Sequence, residues 1–208
     1  MRRLLWLLAA TGCGYTDSGS GSRTLEVEAT LTYDENDGDT QADVRVKKEG
    51  QHLAGATVVF EDGEDGEQFE LTDVGNRYRD TFGGYHRRME LIIEKGSDYL
   101  TAKLEGPGPF TLDEPKNTSI DLGDDVEVRW KTLDGIEADW VLIELKQGSY
   151  RKRGNDSSGK HVIPGDAFEA SPDEEIQVTR AMEVNLEGGS AGSLLTSEYE
   201  VQKNVDVD

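Results

Sequence analysis

The feature that most constrains this chain is the alternation of apolar and polar residues that starts at Leu25 and persists almost to the end. Leu25, Val27, Ala29 and Leu31 are separated by Glu26, Glu28 and Thr30. The same spacing returns at Val44 and Val46, at Val58 and Phe60, at Phe69 and Leu71, through Met89, Leu91 and Ile93, and at Ala102 and Leu104. A period of two places every second side chain on one face, the geometry of a half-buried strand and not of a helix. Turn-forming clusters separate the runs: Asn36-Asp37-Gly38-Asp39, Asp62-Gly63, Asp65-Gly66, Gly75-Asn76 and Gly83-Gly84. Short alternating runs broken this often predict a sandwich or barrel, with about seven strands before residue 105.

Glu105-Gly106-Pro107-Gly108-Pro109 interrupts the pattern, and two prolines with two glycines suit a domain junction better than a strand. A second alternating series follows through Val126, Val128 and Trp130, then Trp140 to Leu145, then Ile176 and Val178, and finally Leu194-Leu195, Tyr199, Val201 and Val205. No stretch holds a 3.6-residue period long enough for a helix of ordinary length. The expectation is an all-β chain of two consecutive sandwiches, residues 24–105 and 106–208, each long enough for its own core. On Val44-x-Val46, Gly50-Gln51-His52-Leu53, Gly55-Ala56-x-Val58 and Asn76-x-Tyr78, residues 42–104 resemble the transthyretin-like sandwich of carboxypeptidase regulatory and Cna-B-type domains. On Val126-x-Val128-x-Trp130 and Ile176-x-Val178, residues 115–205 more loosely resemble a fibronectin type III or other Ig-like domain. These resemblances imply spacers, adhesion modules or binding platforms, and a fold by itself does not choose among them.

The first twelve residues are of another kind. Met1-Arg2-Arg3 is a basic start, Leu4 to Ala10 is an unbroken apolar run, and Thr11 and Gly12 are small residues leading into Cys13. This is the layout of a secretory signal, and the run is far short of the twenty or so residues that a helix needs to cross a bilayer. Ala10-Thr11-Gly12-Cys13 resembles the bacterial lipobox, with Ala10 where leucine is commonest. The resemblance implies cleavage before Cys13 (removing residues 1–12), acylation of Cys13, and a bacterial cell-envelope address facing the periplasm or the exterior. Gly14 stands where an aspartate tends to retain a lipoprotein at the inner membrane, which favours the outer membrane. Cys13 is the only cysteine, so the exported part has no internal disulfide to form. After it, residues 14–23 (GYTDSGSGSR) have the composition of a flexible linker, so residues 13–23 are expected to tether the first sandwich to the lipid.

Charge narrows the partners. The formal charge is −21, and loss of residues 1–12 would remove two arginines and no acid, taking it to −23. Such a chain repels nucleic-acid phosphates, so nucleic-acid binding is disfavoured. The membrane, through Cys13, and an envelope protein or polysaccharide remain as partners. No cofactor is expected.

Few residues invite a catalytic reading. Gly188-Gly189-Ser190-Ala191-Gly192 matches G-x-S-x-G, yet no histidine follows His161 and the flanking runs are strand-like, so a hairpin loop is expected. His52, His86 and His161 fall in no metal-ligand spacing. The acidic turns Asp34–Asp39 and Glu61–Glu67 offer oxygens for calcium, but the EF-hand pattern fails: counting from Asp34, position five is Gly38 and position twelve is Arg45. Trp130 is expected in a core, whereas the run from Trp140 to Leu145 is apolar on both faces and requires cover from the other domain or a partner. Arg77, Arg79, Arg87 and Arg88, with Arg151-Lys152-Arg153, are cationic islands read first as local charge balance. The reading is therefore a membrane-anchored, non-enzymatic binding or structural module. The alternatives are a carbohydrate-binding module using Tyr78, Phe82, Tyr85 and Tyr99, a calcium-stabilised adhesion module and, behind them, a hydrolytic enzyme.

Overall fold

The computed structural model describes residues 15–208, so Cys13 and the signal segment lie outside the described residues. Ten strands precede residue 106: β1 (Asp17–Gly21), β2 (Leu25–Asp34), β3 (Asp39–Lys48), β4 (Gln51–His52), β5 (Thr57–Asp62), β6 (Gln68–Glu70), β7 (Thr72–Asp73), β8 (Tyr78–Gly83), β9 (Arg88–Lys95) and β10 (Asp98–Glu105). Eight follow: β11 (Phe110–Glu114), β12 (Ser119–Ile120), β13 (Val126–Thr132), β14 (Trp140–Leu145), β15 (Arg151–Gly154), β16 (Lys160–Ile163), β17 (Ser171–Asn185) and β18 (Leu194–Val207). Among the described residues, helix is limited to two 3₁₀ turns, Asp156–Ser158 and Gly165–Ala167. The chain is all-β, an Ig-like sandwich fold.

Among the described residues the strands form three sheets. One has the order β1-β10-β9-β5-β6, a second β11-β13-β16, and the largest β15-β14-β17-β18-β2-β3-β8-β7, with β4 beside β3 and β12 beside β18. The largest sheet joins the two halves of the sequence where β18 runs parallel to β2, Leu195 beside Ala29 and Tyr199 beside Tyr33. Paired neighbours point the same way, so the inward faces of both halves coincide. The five-stranded sheet covers one end of that face and the three-stranded sheet the other.

Two cores result. Leu25, Val27, Val44, Val46, Val58, Phe60, Leu91, Ile93, Leu100 and Leu104 fill the first. Phe110, Val128, Trp130, Ile143, Ile163, Ile176, Val178 and Val205 fill the second. The long hairpin β17–β18 serves both, because its tip carries Leu186 and Leu195 into the first core while its base carries Ile176, Val178, Val201 and Val205 into the second. Where the cores meet, Tyr33, Tyr85 and Tyr199 pack as a trio with ring centroids 4.8–5.2 Å apart. The Gly-Pro segment is built into this seam. Gly106, Pro107 and Gly108 are buried, Gly106 N–H donates to the Arg87 carbonyl at 2.7 Å, and the Tyr85 hydroxyl donates to the Pro107 carbonyl.

The segment composed like a flexible linker is, from Asp17 on, a strand. β1 pairs with the edge of β10, Ser20 opposite Thr101. Its neighbour on the other side is the β17–β18 turn, where Glu187 N–H donates to the Ser18 carbonyl at 3.0 Å and Arg23 N–H to the Gly188 carbonyl at 2.9 Å. A Cβ on Gly19, whose φ is +83°, would overlap the Thr101 carbonyl oxygen, and one on Gly188 would overlap the backbone of Ser20. The glycines are there because three backbones meet without room for side chains. Composition alone reads the same residues as slack.

Candidate functional site

The residues singled out for chemistry are mostly occupied structurally. Ser190 sits in the hairpin loop between β17 and β18, its N–H donating to the Leu25 carbonyl at 2.7 Å. The histidines pair with Asp73, Asp62 and Tyr150: His52 Nε2 lies 3.1 Å from Asp73 Oδ1, His86 Nδ1 lies 2.6 Å from Asp62 Oδ2, and His161 Nε2 meets the Tyr150 hydroxyl. Among the described residues none of them hydrogen-bonds to a serine or threonine hydroxyl. The acidic turns fold their carboxylates back on the chain, Asp34 Oδ1 accepting from Asn36 N–H, Asp62 Oδ1 from Glu64 N–H and Asp65 Oδ1 from Glu67 N–H. Among the described residues no three acidic, histidine or cysteine side chains converge as metal ligands.

The proposed aromatic row is not a surface. Tyr78 and Phe82 are buried in the first core, Tyr85 belongs to the seam, and only Tyr99 is exposed. A flat stacking platform for sugar rings therefore does not form from these four. Most of the cationic islands are neutralised locally. Arg77 and Arg79 share Asp43, Arg87 bridges Glu105 and Asp134, Arg88 reaches Glu105, and Arg151 and Arg153 face Glu144 and Glu183. Lys152 has no carboxylate within ion-pair distance among the described residues.

Trp130 is in the second core, as its alternation predicts, with its indole N–H donating to Asp156 Oδ1 at 2.7 Å. It is part of a buried polar hub that sequence reasoning missed. Arg180 is fully buried on β17, between Val178 and Met182 on the inward face. Its Nε and Nη2 donate to the two oxygens of Asp156 at 3.0 and 2.6 Å, and its remaining donors reach the carbonyls of Gly108 and Ile136. Burial works to raise the Asp156 pKa, but hydrogen bonds from Arg180, Ala138 N–H and Trp130 outweigh it and hold the carboxyl below its ordinary value. The signal in the sequence was an arginine at an inward position of an alternating strand.

The run from Trp140 to Leu145 is buried on both faces within this chain. Val141, Ile143 and Leu145 enter the second core, while Trp140 and Leu142 pack with Ala181 on the opposite face, where the Arg153 guanidinium lies 4.3 Å from the Trp140 ring centroid. No partner is needed to cover it. That opposite face of the large sheet carries a cluster of acids. Thr32, Thr179, Glu144, Glu183, Glu198 and Glu200 line it beside Trp140. Thr32 donates to Glu198 Oε2 at 2.8 Å and Thr179 to Glu200 Oε1 at 3.2 Å. Burial first, then the charge of Glu198, pushes the Glu200 carboxyl up to about 7, and burial likewise raises Glu198. Raised carboxylates are a resource for acid–base chemistry only inside a site that holds a substrate. This pair lines neither the solvent-open groove of about 1050 Å³ between Glu114 and Glu127 nor the cavities around Trp130.

No protein-family model matches the chain, and no curated protein matches it. Among solved structures it is similar to the fibronectin(III)-like modules of Clostridium thermocellum CbhA, with 10% identity, 88% of this chain and 94% of that one covered, and a TM-score of 0.30. A two-domain fibronectin type III segment of chicken tenascin gives 13% identity, coverage of 90% and 99%, and a TM-score of 0.29. Three N-terminal domains of the bacteriophage RB49 outer capsid protein Hoc give 8%, 91% and 59%, and 0.28. At these scores the likenesses carry no argument about activity, and the fold rests on the strands and cores themselves.

Proposed function

We propose that this chain is a non-catalytic binding or structural module of the bacterial cell envelope, held on a membrane by lipid on Cys13. The lipobox-like segment before Cys13 supports the anchor, and the occupied state of the histidines and acidic turns supports a role without catalysis. The observation that carries the reading is how soon the folded body begins. Thr16 Oγ1 already accepts from Glu105 N–H at 3.1 Å, Tyr15 lies under Arg88 and Lys103, and β1 is paired from Asp17. Four residues from Cys13 to Asp17 span at most about 14 Å at full extension, against roughly 35 Å for a ten-residue linker. A lipid on Cys13 would therefore keep the first sandwich close to the bilayer, as suits a module that presents a surface at a fixed height. An extended, roaming ligand trap would need more slack.

Intact mass and membrane partitioning of the native protein, beside a Cys13→Ala variant, test this. The native protein is expected to lack residues 1–12, carry acyl mass and pellet with membranes, while the variant stays soluble. Two soluble, unacylated forms would remove the anchor from the proposal.

A further inference from the structure

The second sandwich has one open side, between the edge strand β15 of the large sheet and the edge strand β16 of the small one. Lys152 stands opposite Ile143 and Gly154 opposite Val141, so both positions point toward the second core. Gly154 has no side chain to close the gap, and Lys152 fills it only with a flexible stem. What remains is a cleft of about 100 Å³ with Trp130, Val141 and Ile143 as its floor, Lys152 on one wall and His161 on the other. Asn155, Ser158, Arg153 and Lys160 rim the mouth.

The charge of this cleft runs against that of the molecule. The chain carries 43 acids to 22 bases, and most of its cations are paired with carboxylates. Arg153 and Lys160 use Glu183 and Glu127, which leaves Lys152, exposed at the mouth with its stem along the cleft, without a carboxylate in ion-pair distance among the described residues. Burial, then the Lys152 charge, depresses the His161 pKa, and no carboxylate offsets them. An ammonium held beside an imidazole over an apolar floor is an arrangement that a bound anion would relieve.

We propose that the β15–β16 cleft binds a small oxyanion, a carboxylate, sulfate or phosphate group, with Lys152 as its principal counter-charge and the side-chain NH2 of Asn155, whose Oδ1 is taken by Ser157 N–H, as a polar contact. The volume admits one such group and little more, so the cleft would take the free ion or the terminal group of a larger molecule.

Amide chemical shifts of the full chain, titrated with sodium phosphate, sulfate or acetate against chloride at constant ionic strength, decide the matter. Saturable shifts confined to Lys152–His161 and the cleft floor at Trp130, Val141 and Ile143 are expected. Acetate alone saturating would assign a planar carboxylate, and phosphate or sulfate alone a tetrahedral group. Lys152→Gln should weaken binding by about ten-fold, the worth of one charge-assisted contact. Lys131→Gln, which removes a cation from the outward face of β13, should leave it unchanged. Shifts that never saturate, or equal weakening by the two variants, would overturn the proposal. Lys152 is exposed on an edge strand, so its loss does not threaten the fold.

Discussion

At the scale of single residues, the chain buries charge in two different ways. Asp156 and Arg180 pair with each other and share their remaining hydrogen bonds with Trp130, Ala138, Gly108 and Ile136, and such a pair is costly to break from one side, about 3–5 kcal/mol, because the surviving charge is left without its counter-ion. Glu200 is the opposite case, a carboxylate half-buried among the acids Glu198, Asp34 and Glu144 with Thr179 as its hydrogen-bond donor. Its folded-state pKa of about 7 lies above its ordinary 4.5, so between those values the folded chain holds a proton that the unfolded chain has released. Stability from this group is therefore full below pH 4.5 and falls as pH rises through 7. Glu200→Gln should leave stability nearly unchanged at pH 4 and raise it by about 1–2 kcal/mol at pH 8, after allowing for solvent screening of a partly exposed group. Urea unfolding at both pH values measures this, and the same difference at each would refute it. Glu198 titrates with Glu200, so the midpoint observed belongs to the pair.

At the scale of elements, the strands were legible and their neighbours were not. Period-two alternation located β2, β3, β9, β10 and β13, from Leu25 and Val27 through Val128 and Trp130, and an unbroken apolar run located β14. The inward position of Arg180, two residues after Val178, went unread, and nothing in the sequence named Asp156 as its partner 24 residues away. Glycine was the blind spot. In residues 17–21 and 188–192 a Gly-Ser composition encodes close backbone approach, and the same letters encode slack when no other backbone is near. The candidate cleft was hidden for a similar reason, since Lys152 and His161 face each other only because two edge strands of different sheets come together. The glycine account makes its own prediction. Gly19→Val should force β1 off β10, so amides of Asp17–Gly21 lose most of their hydrogen-exchange protection while those of β9 keep theirs. If the protection of β1 survives the substitution, the close approach is not what holds it.

At the scale of the whole molecule, the question is whether two cores make two folding units. Their strands would suggest so, since each core has its own covering sheet. The hairpin β17–β18 argues otherwise. Its tip places Leu195, fully buried, and Leu186 in the first core, its base belongs to the second, and β18 bonds to β2 along seven paired residues. Unfolding either half would strip apolar cover and a ladder of backbone hydrogen bonds from the other, so the two should unfold together. Leu195→Ala separates the possibilities. A fully buried leucine cut to alanine costs about 2–5 kcal/mol, here wholly within the first core. In the chain without residues 1–12, tryptophan emission reports the second half of the sequence, through Trp130 in the second core and Trp140 on the other face of β14. With one cooperative unit, the emission midpoint in urea falls by as much as the far-ultraviolet circular dichroism midpoint, although the substitution touches neither tryptophan. With two independent units, the emission midpoint stays where it was and the dichroism curve splits into two steps.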